Sequence, residues 1–190
     1  MTRVKVSGSC GQRDKISCLV GLGSNLGDSL SVLQGAWRAI GDFEGIELGE
    51  LSSPYRTSPV GMDSKNVFVN CAGMLHTELA PVKLLELFLQ LEADFGRKRK
   101  TGAGYQDRIL DIDLLYYGDV CLDSDQLTIP HPRIAERLFV LTPLVELSSD
   151  WRDPKTHLTV SEMEQRLRDL MNEEQIELQA VDMIKWKGND

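Results

Sequence analysis

No apolar run in this 190-residue chain approaches the roughly 20 residues that a bilayer-spanning helix needs. Residues 1–14 (MTRVKVSGSCGQRD) also lack the apolar core of a signal peptide. Cysteine is scarce and scattered. Cys10, Cys18, Cys71 and Cys121 include no Cys-x-x-Cys pair, and His76, His131 and His157 fall at no ligand spacing, which argues against a disulfide framework and against a zinc site. Positive charge is in deficit: 21 Lys and Arg against 29 Asp and Glu leave a net −8, the opposite of the footprint that non-specific nucleic-acid binding requires. The common nucleotide motifs are missing as well. GLGSNLG at 21–27 puts Leu26 where the third glycine of GxGxxG must stand, and no Gly-Lys dipeptide exists to build a P-loop. Asp94-Phe95-Gly96 spells the magnesium motif of protein kinases, but no His-Arg-Asp loop precedes it and the chain is too short for that fold, so it reads as chance at the end of a helix.

What is present is an ordinary apolar share, 42%, on a length that fits one domain burying about 70% of its unfolded surface. The expectation is a loose polar leader over 1–14 and a single domain over 15–190, with free thiols in a reducing, cytoplasmic compartment. Neither nucleic acid nor membrane is expected as a partner, and protein partners are left open.

Periodicity predicts the elements. Residues 16–22 (ISCLVGL) form a short apolar run closed by Gly-Ser-Asn, as a buried strand and turn would. Asp28 can cap a helix whose Leu30, Leu33, Trp37 and Ile40 share one stripe. Residues 46–55 and 67–75 are strand-like. Pro81 suits a first helical position, and Leu84, Leu87, Phe88, Leu91 and Phe95 follow at helical spacing until Gly96 stops the helix. Residues 109–117 read as the next strand. The order β-α-β-β-α-β is the ferredoxin-like split unit, an α+β fold with helices packed on one face of an antiparallel sheet. An irregular Pro-containing stretch (127–147) follows. A last helix then has Ser161 and Glu164 as its capping box and Met163, Leu167 and Leu170 inward, and 176–181 adds an edge strand.

Against the acidic background, Arg97, Lys98, Arg99 and Lys100 form a cationic run, and Arg108-Ile-Leu-Asp111-Ile-Asp113 follows. In a strand, Asp111 and Asp113 point to the same face, roughly 6 to 7 Å apart by backbone rise. Two carboxylates so placed suit a hard cation such as Mg²⁺, which takes few protein ligands and keeps phosphate oxygens. The upstream cations suit the rest of a polyphosphate, so the segment has the pattern of a phosphoryl- or pyrophosphoryl-transfer site.

With these residues assembled, the chain resembles the 6-hydroxymethyl-7,8-dihydropterin pyrophosphokinases of folate biosynthesis. The resemblance is carried by GLGSNLGD (21–28), SSPYRTSPVG (52–61), FVN (68–70), LEADFGRKR (91–99), DRILDIDLLYYG (107–118) and IPHPRIAERLFVLTPLVEL (129–147), six blocks in one order. It implies transfer of pyrophosphate from ATP, the co-substrate, to the pterin hydroxymethyl group with release of AMP and with two Mg²⁺ ions. By resemblance, Asp111 and Asp113 would hold the metals, and Arg97 and Arg108 would meet the transferred phosphates. Glu92, Arg99, His131 and Arg137 would contact ATP. Asn70 would bond the pterin edge, Phe68 and Phe139 would sandwich its ring, Thr57, Pro59 and Val60 would shape that pocket, and Tyr105 would cover it. Tyr105-Gln106-Asp107 stands where many members carry Trp-Gly-Pro, and residue 132 is a proline. The alternatives for this topology are an RNA-recognition-type module, which would need exposed aromatics on the central strands, and a small-molecule-binding domain without catalysis.

Overall fold

The computed structural model of the protein describes residues 15–58, 66–97 and 107–188. Strand β1 (Ile16–Ser24) leads through Gly27 to helix α1 (Ser29–Gly41). Asp28 caps α1 by accepting the Ser31 N–H, and Leu33, Ala36, Trp37 and Ile40 form its buried stripe. Strands β2 (Ile46–Leu51) and β3 (Tyr55–Thr57) follow and are separated by Ser52-Ser53-Pro54. Ser52 covers the break, because its N–H donates to the Ala72 carbonyl at 2.9 Å and its Oγ accepts the Ala72 N–H at 3.0 Å. Next come β4 (Phe68–Thr77), α2 (Pro81–Asp94) and β5 (Asp111–Tyr117). Pro81 opens α2, and Gly96, at φ +92°, ends it in a conformation that disfavours any other residue.

The main sheet runs β5-β1-β4 and then β3, with β2 pairing the other half of β4, and every pair is antiparallel. This is the ferredoxin-like arrangement expected from the element order. Beyond it lie a hairpin of β6 (Leu122–Asp123) and β7 (Thr128–Ile129), a cis Ile129–Pro130 bond, helices α3 (Leu138–Ser148) and α4 (Val160–Asn172), and β8 (Val181–Met183), which pairs with β3.

The sheet separates two cores. Cys18, Val20, Leu22, Cys71, Leu75, Ile112 and Leu114 face α1 and α2, whereas Leu19, Ala72, Leu115 and Tyr116 face α3 and α4. Each fully buried Leu or Phe contributes roughly 1.5–3 kcal/mol relative to exposure. A register shift at Leu19/Val20, matched by Leu115 on β5, lets two consecutive residues, Leu115 and Tyr116, enter the second core.

Four expectations from the sequence are corrected. Helices cover both faces of the sheet rather than one, because β1 and β4 are apolar on both sides. Residues 138–148 are helical despite Pro143, since helix α3 is buried along Leu138, Val140, Leu141 and Leu144 and its packing outweighs the missing N–H. The capping box of α4 uses Thr159 and Glu162, whose backbone and side-chain bonds are reciprocal, and Met171 turns inward where Leu170 stays exposed. The edge strand lies at Val181–Met183, later than the sequence indicates. The leader over 1–14 lies outside the described residues.

Gly73 on β4 fills no conformational need but a spatial one: a Cβ there would sit 2.4 Å from the Trp37 ring. Replacement of Gly73 by Ala should therefore destabilise the fold by about 1–3 kcal/mol through overpacking, measured by urea unfolding. A loss below about 0.5 kcal/mol would show that the indole moves freely.

Candidate active site

A cleft opens on the α3/α4 side of the sheet, between its upper edge and the start of α3. Its lining includes Gly21, Gly23, Thr57, Phe68, Asn70, Arg108, Asp111, Asp113, Arg137 and Phe139. Strand alternation explains the gathering. Asp111 and Asp113 lie on the β5 face opposite Ile112 and Leu114, which enter the first core. In register with them, β1 presents Gly23 beside Asp111 and Gly21 beside Asp113, and Asn70 flanks Gly23 from β4. A Cβ on Gly23 would lie 2.7 Å from Asn70 Oδ1, so the glycines of GLGSNLG leave the floor of the cleft bare for side chains from both neighbours.

One end of the cleft is ionic. Arg97 Nη1 bonds Asp111 Oδ1 at 2.5 Å and also pairs with Glu92, while Arg108 Nη2 lies 3.3 Å from Asp111 Oδ2. Burial alone would lower the Arg97 pKa, but Asp111 and Glu92 together outweigh it and hold the guanidinium charged. Burial, with Asp111 alongside, pushes the Asp113 carboxyl up to about 6. Glu92 is only 2% exposed. Its Oε1 accepts the N–H of Ile112, the residue between the two aspartates, at 2.8 Å.

The cleft also carries aromatic side chains. Phe68 and Phe139 offer ring faces, the Arg108 and Arg137 guanidinium carbons lie 5.7 and 5.4 Å from their respective centroids, and both pairs are within cation–π range. Asn70 Nδ2 donates to Thr57 Oγ1 at 2.7 Å, which fixes the amide and leaves its Oδ1 toward Gly23.

Among the predicted site residues, Thr57, Phe68, Asn70, Arg108, Asp111, Asp113, Arg137 and Phe139 line this one cleft. Arg97 and Glu92 stand behind Asp111. His131 is set apart from the lining residues. Its N–H bonds the Leu115 carbonyl at 3.0 Å, and its Nδ1 accepts the Arg133 N–H at 3.2 Å. Burial, then Arg137 and Arg133, push its pKa down to about 4, so at neutral pH the ring is uncharged with its proton on Nε2. Pro59, Val60, Arg99 and Tyr105 lie outside the described residues.

Sequence reasoning missed three supports. Asn25 donates from Nδ2 to Asp107 Oδ1 at 2.6 Å and accepts the Arg108 N–H on Oδ1 at 2.7 Å, while Asn66 donates to Asp107 Oδ2 at 2.6 Å. Asp107 thereby fixes the backbone just ahead of Arg108. Glu146 of α3 accepts from Ser53 N–H, Ser53 Oγ and Tyr55 OH, tying the start of β3 to the helix. Asn25 lies inside the GSNLGD block and could have been singled out there, whereas nothing local marks Glu146.

Among the described residues no group of three or more His, Cys, Asp or Glu side chains is placed to hold a metal. The two cleft aspartates remain, an oxygen pair of the kind a hard divalent cation accepts. No helix of the described residues is long and apolar enough to cross a membrane. The fold is ferredoxin-like, and its cleft joins a carboxylate–arginine cluster to two phenylalanine rings.

Comparison narrows the class. Residues 19–149 match the family of 7,8-dihydro-6-hydroxymethylpterin-pyrophosphokinase (HPPK). A 2-amino-4-hydroxy-6-hydroxymethyldihydropteridine pyrophosphokinase from Synechocystis is 41% identical over 145 residues, 76% of this chain and 73% of that protein. The Bacillus subtilis protein of the same name is 39% identical over 128 residues, 67% of this chain and 75% of that one. A Plasmodium falciparum HPPK-DHPS structure shares the fold with a TM-score of 0.70 at 13% identity, over 87% of this chain and 48% of that longer one. The chain belongs to the 7,8-dihydro-6-hydroxymethylpterin-pyrophosphokinase family.

Truncating Glu92 to Ala leaves Arg97 with one fewer partner and the Ile112 N–H with none. The expected loss is about 3 kcal/mol of stability, read by urea unfolding, and a neutral result would show that Glu92 does not hold β5 in place.

Proposed function

We infer that this chain transfers pyrophosphate from ATP to the hydroxymethyl oxygen of 6-hydroxymethyl-7,8-dihydropterin and releases AMP, a step of folate biosynthesis. The observation that carries this reading is the convergence in one cleft of a carboxylate pair, arginines, two phenylalanine side chains and the Asn70 amide held by Thr57. Asp111 and Asp113 are the residues that would hold Mg²⁺, two ions by family resemblance, and the Asp113 pKa, raised first by burial and then by Asp111, marks a carboxyl whose charged form a cation would favour. When bound, Mg²⁺ supplies charge neutralisation for the phosphate oxygens and activation of the attacking hydroxyl.

The chain's own residues do the rest. Arg97 and Arg108, paired with Asp111 in the free protein, are the cations within reach of the transferred group, and their forked geometry suits phosphate oxygens. Phe68 and Phe139 would take the pterin ring between their faces, where a flat heterocycle gains both buried area and stacking. Asn70, oriented by Thr57, would read its polar edge. Arg137 and the neutral His131 are the candidate ATP contacts on the far side. In-line attack on the β-phosphorus then depends on positioning and on charge stabilisation more than on a strong base.

Mixing the protein with ATP, Mg²⁺ and the hydroxymethyl-dihydropterin should release AMP, and ADP release would point to a different kinase. Asp111→Ala or Asp113→Ala should abolish Mg²⁺-dependent turnover while pterin still binds. Arg108→Ala should lower turnover about a hundredfold, the scale for losing one charge-stabilising donor, and a change below about threefold would remove Arg108 from this role.

The Asp113 shift also sets a pH signature. Its folded pKa of about 6 lies above the ordinary 3.8, so the folded state holds the extra proton in that window and metal-free stability falls as pH rises through it. A cation on the pair competes with that proton. Mg²⁺ should therefore raise Tm more at pH 7.5 than at pH 5, and equal gains at both would count against the carboxylate pair as its seat.

A further inference from the structure

The stretch that carries Arg137 and Phe139 begins α3 without a cap of its own. Arg137, the residue ahead of Leu138, supplies no side-chain capping bond, and the first N–H groups of any helix lack partners within it. The partner comes from far along the chain. Gln179 Oε1 accepts the Leu138 N–H at 2.9 Å, and Gln179 Nε2 donates to the Glu136 carbonyl at 2.8 Å. In extended backbone, the C=O before a residue and the N–H after it point to the same side, so an antiparallel neighbour satisfies both at once. Arg137 is extended here, at φ −130° and ψ 105°, and a single carboxamide does the work of that neighbour. Gln carries a donor and an acceptor side by side on one planar amide, whereas ionised Glu only accepts and Lys only donates.

Gln179 is itself held. Two residues on, Val181 pairs with Thr57, and Met183 pairs with Tyr55. Val181 packs in the same cluster as Phe139. The chain is then fastened by the Ile184 N–H on the Pro54 carbonyl at 2.9 Å and by Trp186 Nε1 on the Ser52 carbonyl at 3.0 Å. This segment lies beyond the matched family region, which ends at residue 149, yet it touches both walls of the cleft: β3, which carries Thr57, and the start of α3.

We propose that Gln179 is a positioning residue for both substrates, locking the backbone at Arg137 so that its guanidinium and the Phe139 ring are delivered to the cleft together. This rests on the pyrophosphokinase reading for the identity of the ligands, but the lock itself is a property of the free protein. Removing it lets residue 137 sample other conformations, and each binding event must then reorder it.

The test compares Gln179→Ala with the isosteric Gln179→Glu, which keeps an acceptor for the Leu138 N–H but sets a carboxylate against the Glu136 carbonyl. Both should raise KM for ATP and for the pterin about tenfold, the equivalent of about 1.4 kcal/mol, with kcat altered less and Tm lowered by only a few degrees. In an Arg137→Ala background, Gln179→Ala should change the KM for ATP by less than about twofold, because the group it positions is gone. Amide hydrogen exchange at Leu138, which needs no substrate, should accelerate at least tenfold in Gln179→Ala. Unchanged exchange at Leu138, KM values within twofold of the parent, or a full tenfold effect in the Arg137→Ala background would each overturn the proposal. Absence of AMP release from the parent protein would instead sink the reading of the reaction, and the exchange measurement would still decide the lock.

Discussion

One hydrogen bond sets the geometry of the carboxylate end of the cleft: the buried Glu92 carboxylate accepts the N–H of Ile112, between the two aspartates. A backbone group that faces a helix rather than another strand would otherwise be left unpaired, which a buried site does not tolerate cheaply. The same oxygen also meets Arg97, and Arg97 meets Asp111. A single side chain from α2 therefore fixes the strand that carries the carboxylates and the guanidinium opposite them. The desolvation of Glu92 is offset because both of its contacts bring donors, one of them charged. Predicted as an ATP contact, Glu92 in the free protein is first a strut of the site.

How far the fold was legible follows from which signals are local. β1, α1, α2 and β5 each announce themselves through period, cap or glycine stop, and their order alone leads to the ferredoxin-like sheet. The two-faced burial of that sheet was not visible, because an apolar strand such as ISCLVGL reads the same whether one or both sides are covered. Helix α3 was hidden by Pro143 and by a composition apolar on all sides, which has no amphipathic period to detect. The capping box of α4 was misplaced by two residues because Thr159–Glu162 and Ser161–Glu164 satisfy the same spacing, and only the chain's path chooses between them.

The site divides along the same line. Asp111 and Asp113 were readable from strand alternation and Arg97 and Arg108 from their charge, while the aromatic pair and Asn70 came from the family blocks. Residues that act over long sequence separations left no trace: Glu146 reaches β3 from 91 residues away, and Gln179 reaches residue 138 from 41 away. Glycines 21 and 23 left a trace that pointed elsewhere. They resemble a dinucleotide loop, yet they are strand residues whose missing side chains make space on a sheet face, a role that depends wholly on what neighbouring strands carry.

The electrostatics of the cleft bear on how an acidic protein would host the polyphosphate of the proposed reaction. Glu92, Asp111 and Asp113 are matched by Arg97, Arg108 and Arg137, and the first two arginines are already engaged by carboxylates. The cleft is therefore no standing cationic trap, and in a chain of net charge −8 it would exert little pull on a bare anion. On the proposed reading, a polyphosphate arriving with divalent counter-ions would carry little net charge and would let both sets of partners exchange, carboxylates turning to cations and guanidiniums to phosphate oxygens. Selectivity then comes from geometry rather than from field strength, because only a ligand that supplies both signs at the right spacing replaces every bond it breaks. A bare anion could take the arginines but would leave Asp111 and Asp113 side by side, where burial first and Asp111 second already raise the Asp113 pKa. The Glu92 strut meets that need in part, holding the strand of the carboxylate pair and Arg97 as one unit.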